Sequence, residues 1–235
     1  MQTELEQYFA KTQSVSYDEG LRKYMLQVFN YMTVALALSG LVSLGIFMSP
    51  TISALIWGTW FKWVAIFAPL GMSLLFMGTI DKMSSSGAKV FLLLFAGLMG
   101  LSLSSIFLIY KMGSIAQVFF ITSATFGAAS LYGYTTKKDL TSFGSFLIMG
   151  ALGLVIAGVV NLFLQSSMLT MVISCLGVLI FTGLTAYDTQ EIKQHYDTTY
   201  GEEREKAGVI GAFQLYLDFI NIFMSLIQLI GEKKE

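Results

Sequence analysis

Two aspartates stand within or next to apolar runs that are long enough to cross a bilayer. Asp218 is the one charged residue between Ala207 and Ile230, and it lies almost at the midpoint of that run. Asp188 follows a second apolar run. A carboxyl group at the centre of a membrane helix costs about 2.5–3.5 kcal/mol on insertion scales, and intramembrane acids commonly bind protons or cations. The two residues therefore indicate a proton or cation site inside the membrane.

Other polar residues recur on the same side of the helix that carries Asp218. With this acid they form a series at steps of three or four residues: Gln214, Asn221, Ser225 and Gln228. That spacing places them in one stripe of an α-helix, which we expect to face the protein interior. The alternative is a stripe that only makes interhelical hydrogen bonds, worth about 0.6 kcal/mol each in membranes. Bonds of that strength offset little of the cost of burying a carboxyl group. We therefore predict that Gln214, Asn221 and Ser225 support the acid.

The two acids are expected to lie at a similar depth in the membrane. An acid at the C-terminus of a helix opposes the helix dipole, so we expect the helix of Asp188 to continue past Glu191 toward Tyr196. At about 1.5 Å per residue, this extension brings Asp188 and Asp218 to the same level within a turn or two, on consecutive antiparallel helices. Touching carboxyl groups in a low-dielectric site do not both ionise readily, so we expect them to share one proton.

Composition identifies the elements that position these acids as membrane helices. Of the 235 residues, 55% are hydrophobic and 12% are charged, about half the charged fraction of a soluble domain. Mean hydropathy is +0.69, and apolar stretches of about 20 residues recur along the chain. The chain is therefore expected to be an all-α integral membrane protein. Its net charge of -1 provides no basic field for binding nucleic acid.

The apolar stretches predict a bundle of seven transmembrane helices, with counts of six or eight left open. A polar segment, residues 1–26, precedes the transmembrane domain of residues 27–231, and residues 232–235 form a short tail. Small residues four apart, such as Ala96 and Gly100, predict close approach between helices. The seven predicted spans are Gln27–Met48, Trp63–Thr79, Ala88–Tyr110, Ile115–Tyr134, Phe143–Leu164, Met168–Tyr187 and Gly208–Ile230.

The distribution of lysine and arginine predicts the orientation. With the N-terminus in the cytoplasm, ten of the 14 basic residues fall on the cytoplasmic side, as the positive-inside rule requires. The lysines that follow the last helix favour a cytoplasmic location for the C-terminus as well. If the last helix were re-entrant, the N-terminus and the C-terminus would both lie in the cytoplasm.

Three segments resemble the transmembrane Bax inhibitor motif (Bax inhibitor-1) family. Leu184–Lys193 and Leu215–Phe223 resemble the two signature segments of that family, and Phe126–Leu140 is similar to its central segment in a bacterial form. The resemblance implies seven helices with the last helix surrounded by the other six. It also implies that Asp188 and Asp218 form a paired-carboxyl proton sensor on a calcium pathway, in a bacterial inner membrane.

The resemblance and the paired acids together lead us to expect a pH-sensitive calcium leak channel without a cofactor. Loss of the shared proton would leave two repelling charges, which spread the helices or attract a cation. Calcium prefers six to eight oxygen ligands. Asp188 and Asp218, with Gln214, Asn221, backbone carbonyls and water, would form only a weak, transient calcium site, which suits passage better than storage.

Two other functions remain open. One is a regulatory membrane protein that binds membrane-protein partners, such as a modulator of a membrane protease or of cell death. The other is a proton-coupled cation exchanger. An enzyme is not expected, because neither aspartate follows the Gly-x-Gly pattern of intramembrane aspartyl proteases. The single histidine also cannot form the two-histidine site of a helical metalloprotease.

One departure from the family pattern concerns a cation near the acids. Some relatives carry arginines where the second helix meets the cytoplasm, whereas this chain has Gly78-Thr79-Ile80-Asp81-Lys82-Met83 there. Lys82 is therefore the only local residue that could latch the acid pair.

Overall fold

The computed structural model describes the backbone of residues 2–234 and the side chains of residues 19–76, 78–80 and 82–234. The predicted segments 1–26 and 232–235 thus lie partly outside the described residues, as does the side chain of Asp81. The described chain is a series of helices: α1 Gln2–Met48, α2 Pro50–Trp57, α3 Phe61–Thr79, α4 Ser85–Leu103, α5 Ile106–Ile109, α6 Met112–Thr135, α7 Thr141–Leu164, α8 Ser167–Thr198 and α9 Gly201–Ile230.

The all-α membrane bundle predicted from the sequence is confirmed. Within the described part of the chain, six helices are long and apolar enough to cross a membrane, and the bent pair α2–α3 makes a seventh if it counts as one span. The two helices of that pair meet at 77°. The bend follows Trp57, where Gly58 closes α2 by donating its N–H to the Ala54 carbonyl at 2.8 Å.

Helix α1 includes residues that precede the predicted start at Gln27. Leu21, Tyr24 and Met25 are buried and join the hydrophobic core. Together with Val28 they recur at the spacing of one helix face, so the apolar stripe of the span continues into the polar segment. The polar N-terminal sequence therefore contributes helix and core as well as surface.

Helices α8 and α9 form a long antiparallel hairpin. Helix α8 continues past Tyr187 to Thr198, which confirms the extension expected from the position of Asp188. Helix α9 begins at Gly201, whose φ of +56° lies in the left-handed region that glycine adopts without a steric penalty. This tight turn folds α9 back along α8.

The last helix, α9, occupies the centre of the bundle. Its most apolar 18-residue window is 61% buried, against 6–33% in the other five spans. It packs against α1, α4, α6 and α8, while α3 packs mainly on α4 and α7 mainly on α8. The central last helix is as expected, although four helices rather than six form its main neighbours.

Small residues allow the closest helix contacts. A Cβ atom on Gly100 of α4 would lie 2.6 Å from the backbone oxygen of Ser39 in α1, and one on Gly133 of α6 would lie 2.1 Å from that of Ala186 in α8. The Ser39 hydroxyl also donates to the Ala96 carbonyl at 2.8 Å. The small-residue spacing of Ala96 and Gly100 therefore corresponds to an observed close approach.

Candidate functional site

Asp188 of α8 and Asp218 of α9 meet inside the bundle. Their carboxyl groups lie next to each other, and the two residues are only 8% and 4% exposed. An ionised carboxylate has no hydrogen to donate. A hydrogen bond within the pair requires one proton, and that shared proton stays a prediction.

One oxygen of the pair remains without a partner. Oδ2 of Asp218 is buried and accepts no hydrogen bond from the residues that the structure describes. The nearby hydroxyl of Thr185 donates to the Phe181 carbonyl of its own helix at 2.8 Å and does not bond to Oδ2 of Asp218. Because buried polar atoms are nearly always hydrogen-bonded, this oxygen is an acceptor available to a proton, a cation or water.

The electrostatic neighbours of the pair are acidic. The carboxyl group of Glu191, one helical turn beyond Asp188, interacts electrostatically with that of Asp188, and the two aspartates interact with each other. Among the described side chains, no cationic group is one of these electrostatic neighbours. Lys82 is exposed and does not belong to those groups, so it does not latch the pair in this structure.

The predicted polar stripe of α9 faces α8 at its C-terminal end. A Cβ atom on Gly177 of α8 would lie 2.4 Å from Oγ of Ser225. The side-chain oxygen Oε1 of Gln228 accepts a hydrogen bond from the Ser174 hydroxyl at 2.9 Å. These contacts hold the N-terminal part of α8 against the C-terminal part of α9.

The other two members of the stripe do not reach the acids. Asn221 donates its side-chain amide to the Leu217 carbonyl of its own helix at 2.8 Å. Gln214 is partly exposed, and neither residue is a hydrogen-bond partner of the carboxyl pair. Of the polar stripe, Ser225 and Gln228 therefore contact α8, whereas Gln214 and Asn221 make no observed hydrogen bond to the acid pair.

The oxygen atoms around the pair are too few for a strong calcium site. Among the side chains described, no group of three or more His, Cys, Asp or Glu residues is placed to hold a metal ion. Asp188, Asp218 and the Thr185 hydroxyl fall short of the six to eight oxygens that calcium prefers. A weak, transient calcium site at the two aspartates stays a prediction.

The sequence did not lead us to expect a set of hydrogen bonds that lies next to Asp188 on α8. The side-chain amide of Gln190 donates to the Lys138 carbonyl at 2.8 Å and accepts from the Leu140 N–H at 2.9 Å. Nζ of Lys193 donates to the Tyr134 carbonyl at 3.1 Å. These bonds attach the α6–α7 loop to α8. The available signal was Gln190 itself, since a side-chain amide can donate and accept at once.

A second set of polar contacts holds the α8–α9 turn. Arg204 donates to the carbonyls of Thr199 and Tyr196 at 2.8 and 2.9 Å, and so satisfies the C-terminal end of α8. Glu205 accepts from the Ser85 hydroxyl at 3.0 Å and forms an ion pair with Lys89. The turn is thereby attached to the N-terminus of α4.

Asp139 has a structural partner outside the membrane-spanning segments. Its carboxylate accepts hydrogen bonds from the backbone N–H and the hydroxyl of Thr141, at 2.9 and 2.6 Å. These bonds favour the ionised form and lower the pKa of Asp139. Asp139 therefore stabilises the first turn of α7 and does not contribute to the intramembrane site.

Comparisons with known proteins agree with this architecture. A family model described as "Inhibitor of apoptosis-promoting Bax1" matches residues 21–235. The chain is 46% identical over 221 residues to the uncharacterized protein RP147 of Rickettsia prowazekii, with 94% of each chain covered. It is 40% identical over 219 residues to the inner membrane protein YbhL of Escherichia coli, which covers 92% of this chain and 94% of that protein.

A more distant relative matches over a similar length. An uncharacterized membrane protein of Streptococcus pyogenes is 34% identical over 217 residues, covering 91% of this chain and 94% of its own. The residues that the family model matches include both aspartates and all seven predicted spans. The chain belongs to the Bax inhibitor family of membrane proteins.

Proposed function

We propose that this protein is a pH-sensitive calcium leak channel, gated by proton sharing between Asp188 and Asp218. The observation that supports the proposal is the burial of the two carboxyl groups next to each other, one on α8 and one on the central helix α9. A purely structural contact could use neutral side chains at lower cost, whereas a hydrogen bond between two carboxyl groups depends on a proton.

The gating step follows from the charge on the pair. With one shared proton the pair carries a single negative charge and bridges the two helices. When the proton leaves, two negative charges face each other in a medium of low dielectric constant, where their repulsion is strong. The helices then separate, or a divalent cation replaces the proton. The leak is therefore expected to increase as pH rises through the range where the pair releases its proton.

Weak binding of calcium is consistent with conduction. The unpartnered Oδ2 of Asp218 and the second carboxyl group provide a first point of capture, while water supplies the remaining ligands. Conduction requires a site that attracts the ion and then releases it. The small number of protein oxygens supports passage rather than storage.

We place the channel in a bacterial inner membrane with its N-terminus in the cytoplasm. The bias of lysine and arginine supports this orientation. The Escherichia coli relative is named an inner membrane protein, which supports the location. Helix α9 is continuous over 30 residues, about 45 Å at 1.5 Å per residue, which favours a crossing over a re-entrant loop.

The test is calcium flux into liposomes that contain the purified protein and an enclosed calcium indicator, measured between about pH 5 and pH 8. We expect Asp188→Asn and Asp218→Asn to remove the pH dependence, because asparagine keeps the shape and the hydrogen bonding but does not ionise. Asp139→Asn is the matched control, since this acid belongs to the first turn of α7, and its flux should follow that of the parent.

Other outcomes separate the alternatives. The proposal fails if the parent protein passes no calcium, or if Asp218→Asn keeps the pH dependence of the parent. A flux that requires an opposing proton gradient identifies an exchanger. Binding of a membrane-protein partner that survives loss of both acids identifies a regulatory protein.

A further inference from the structure

A continuous groove runs along the bundle between α1 and α6. Helix α1 packs on α4 and α9, and α6 packs on α8 and α9, so α9 forms the floor of the groove. Three adjoining cavities of about 540, 640 and 310 Å³ occupy it. The first and second share Phe29 and Phe126, and the second and third share Gly40 and Phe119. We call this feature the α1–α6 groove.

The α1–α6 groove has the length and the surface of a site for an acyl chain. On α1 it extends from Arg22 to Leu44, about 33 Å at 1.5 Å per residue, close to the thickness of the hydrocarbon core. Aromatic and aliphatic side chains form most of its walls. Nothing lies within 4 Å of the position of a Cβ atom on Gly40 or Gly127, so these glycines leave the groove open.

The one charged residue that lines the three cavities within the described chain, Arg22, lies at one end of the groove. Arg22 and Tyr134 line the first cavity together with Ser130. Ser130 is only 5% exposed, and its hydroxyl has no hydrogen-bond partner within the described residues. A buried hydroxyl without a partner is uncommon in proteins. Its position in the wall of the cavity points to a ligand that carries an acceptor.

We propose that the α1–α6 groove binds one acyl chain of an anionic phospholipid, with the phosphate at Arg22. A guanidinium group recognises phosphate through paired, charge-assisted hydrogen bonds. Ser130 lies four residues from Tyr134, about 6 Å deeper along α6, where its hydroxyl donates to an ester carbonyl of the lipid. The apolar length of the groove selects a lipid over free phosphate. This inference does not depend on the proposed calcium flux.

Native mass spectrometry of the full chain in detergent tests the proposal, with phosphatidylglycerol and phosphatidylcholine of identical chains as the probes. We expect one bound phosphatidylglycerol that phosphatidylcholine does not displace. Arg22→Gln should weaken phosphatidylglycerol binding about fivefold, since a basic residue near an anionic lipid surface contributes about 1 kcal/mol. Gly127→Leu fills the groove and should reduce binding of both lipids.

Two matched controls show whether the effects are specific to the site. Lys23→Gln removes the neighbouring cation, which lines a different cavity, and should leave binding unchanged. Ser130→Ala should weaken binding, whereas Thr182→Val should not. The hydroxyl of Thr182 is also buried without a partner in the described chain, but Thr182 is not among the residues that line the groove.

Three results would overturn the proposal. They are equal retention of the two lipids by the parent, equal effects of Arg22→Gln and Lys23→Gln, and displacement of the lipid by inorganic phosphate alone. The melting temperature of each variant without added lipid shows that it is folded. Because Arg22 and Lys23 are both exposed, neither substitution is expected to change that temperature.

Discussion

Ile192 of α8 lies directly against Gly211 of α9. A Cβ atom on Gly211 would be 2.6 Å from Cγ1 of Ile192, and the isoleucine side chain is fully buried. The contact is one turn along α8 from Asp188 and two turns along α9 from Asp218. It therefore holds the two helices at the separation and register in which the carboxyl groups meet.

Gly211→Ala is expected to destabilise the protein by about 1–3 kcal/mol, as overpacking of a filled interior does. The added methyl group has no room beside Ile192. Thermal unfolding in detergent measures the loss. Ile192→Ala opens space, so the double variant should lose less stability than the sum of the two single changes. Gly158→Ala on α7, with nothing within 4 Å, is the control and should show no loss.

Gln190→Ala should release the α6–α7 loop. The substitution removes the bonds to the Lys138 carbonyl and the Leu140 N–H, and leaves both groups in need of partners. We expect faster cleavage by trypsin after Lys137 and Lys138, measured by limited proteolysis. Gln194→Ala, one turn further along α8 and exposed, should leave the cleavage rate unchanged.

The first turn of α7 should lose protection in acid. The hydrogen bonds from Thr141 lower the pKa of Asp139, so the folded chain binds fewer protons at this group than the unfolded chain. Their stabilising effect is complete above the ordinary pKa of aspartate and is lost as pH falls through the lowered value. Amide hydrogen exchange at Thr141, corrected for the intrinsic rate, measures this loss.

The amide of Leu169 provides a reference for that measurement. It donates to the Ser166 hydroxyl at the start of α8, and a hydroxyl does not titrate in this range. Its corrected exchange should not change over the same pH interval. Asp139→Ala should remove the difference between the two amides.

Several features of the fold could be predicted from the sequence because they depend on local periodicity. Apolar runs of about 20 residues identified the spans, since the bilayer requires helices of that length. The position of Asp188 indicated that its helix continues, and α8 extends to Thr198. The 77° bend between α2 and α3 was not predicted, because a run that is apolar throughout does not show where its axis turns.

By itself the sequence determined the class of the protein, the approximate spans and the two acids that had to face inward. Burying a carboxyl group is costly in any fold, so residue type alone carried that information. Only the tertiary structure decided that the carboxyl groups of Asp188 and Asp218 touch, that Gln214 and Asn221 do not join them, and that Gln190 holds the adjacent loop. Those results depend on the rotation and register of neighbouring helices, which close contacts such as Ile192 on Gly211 set across long distances in the chain.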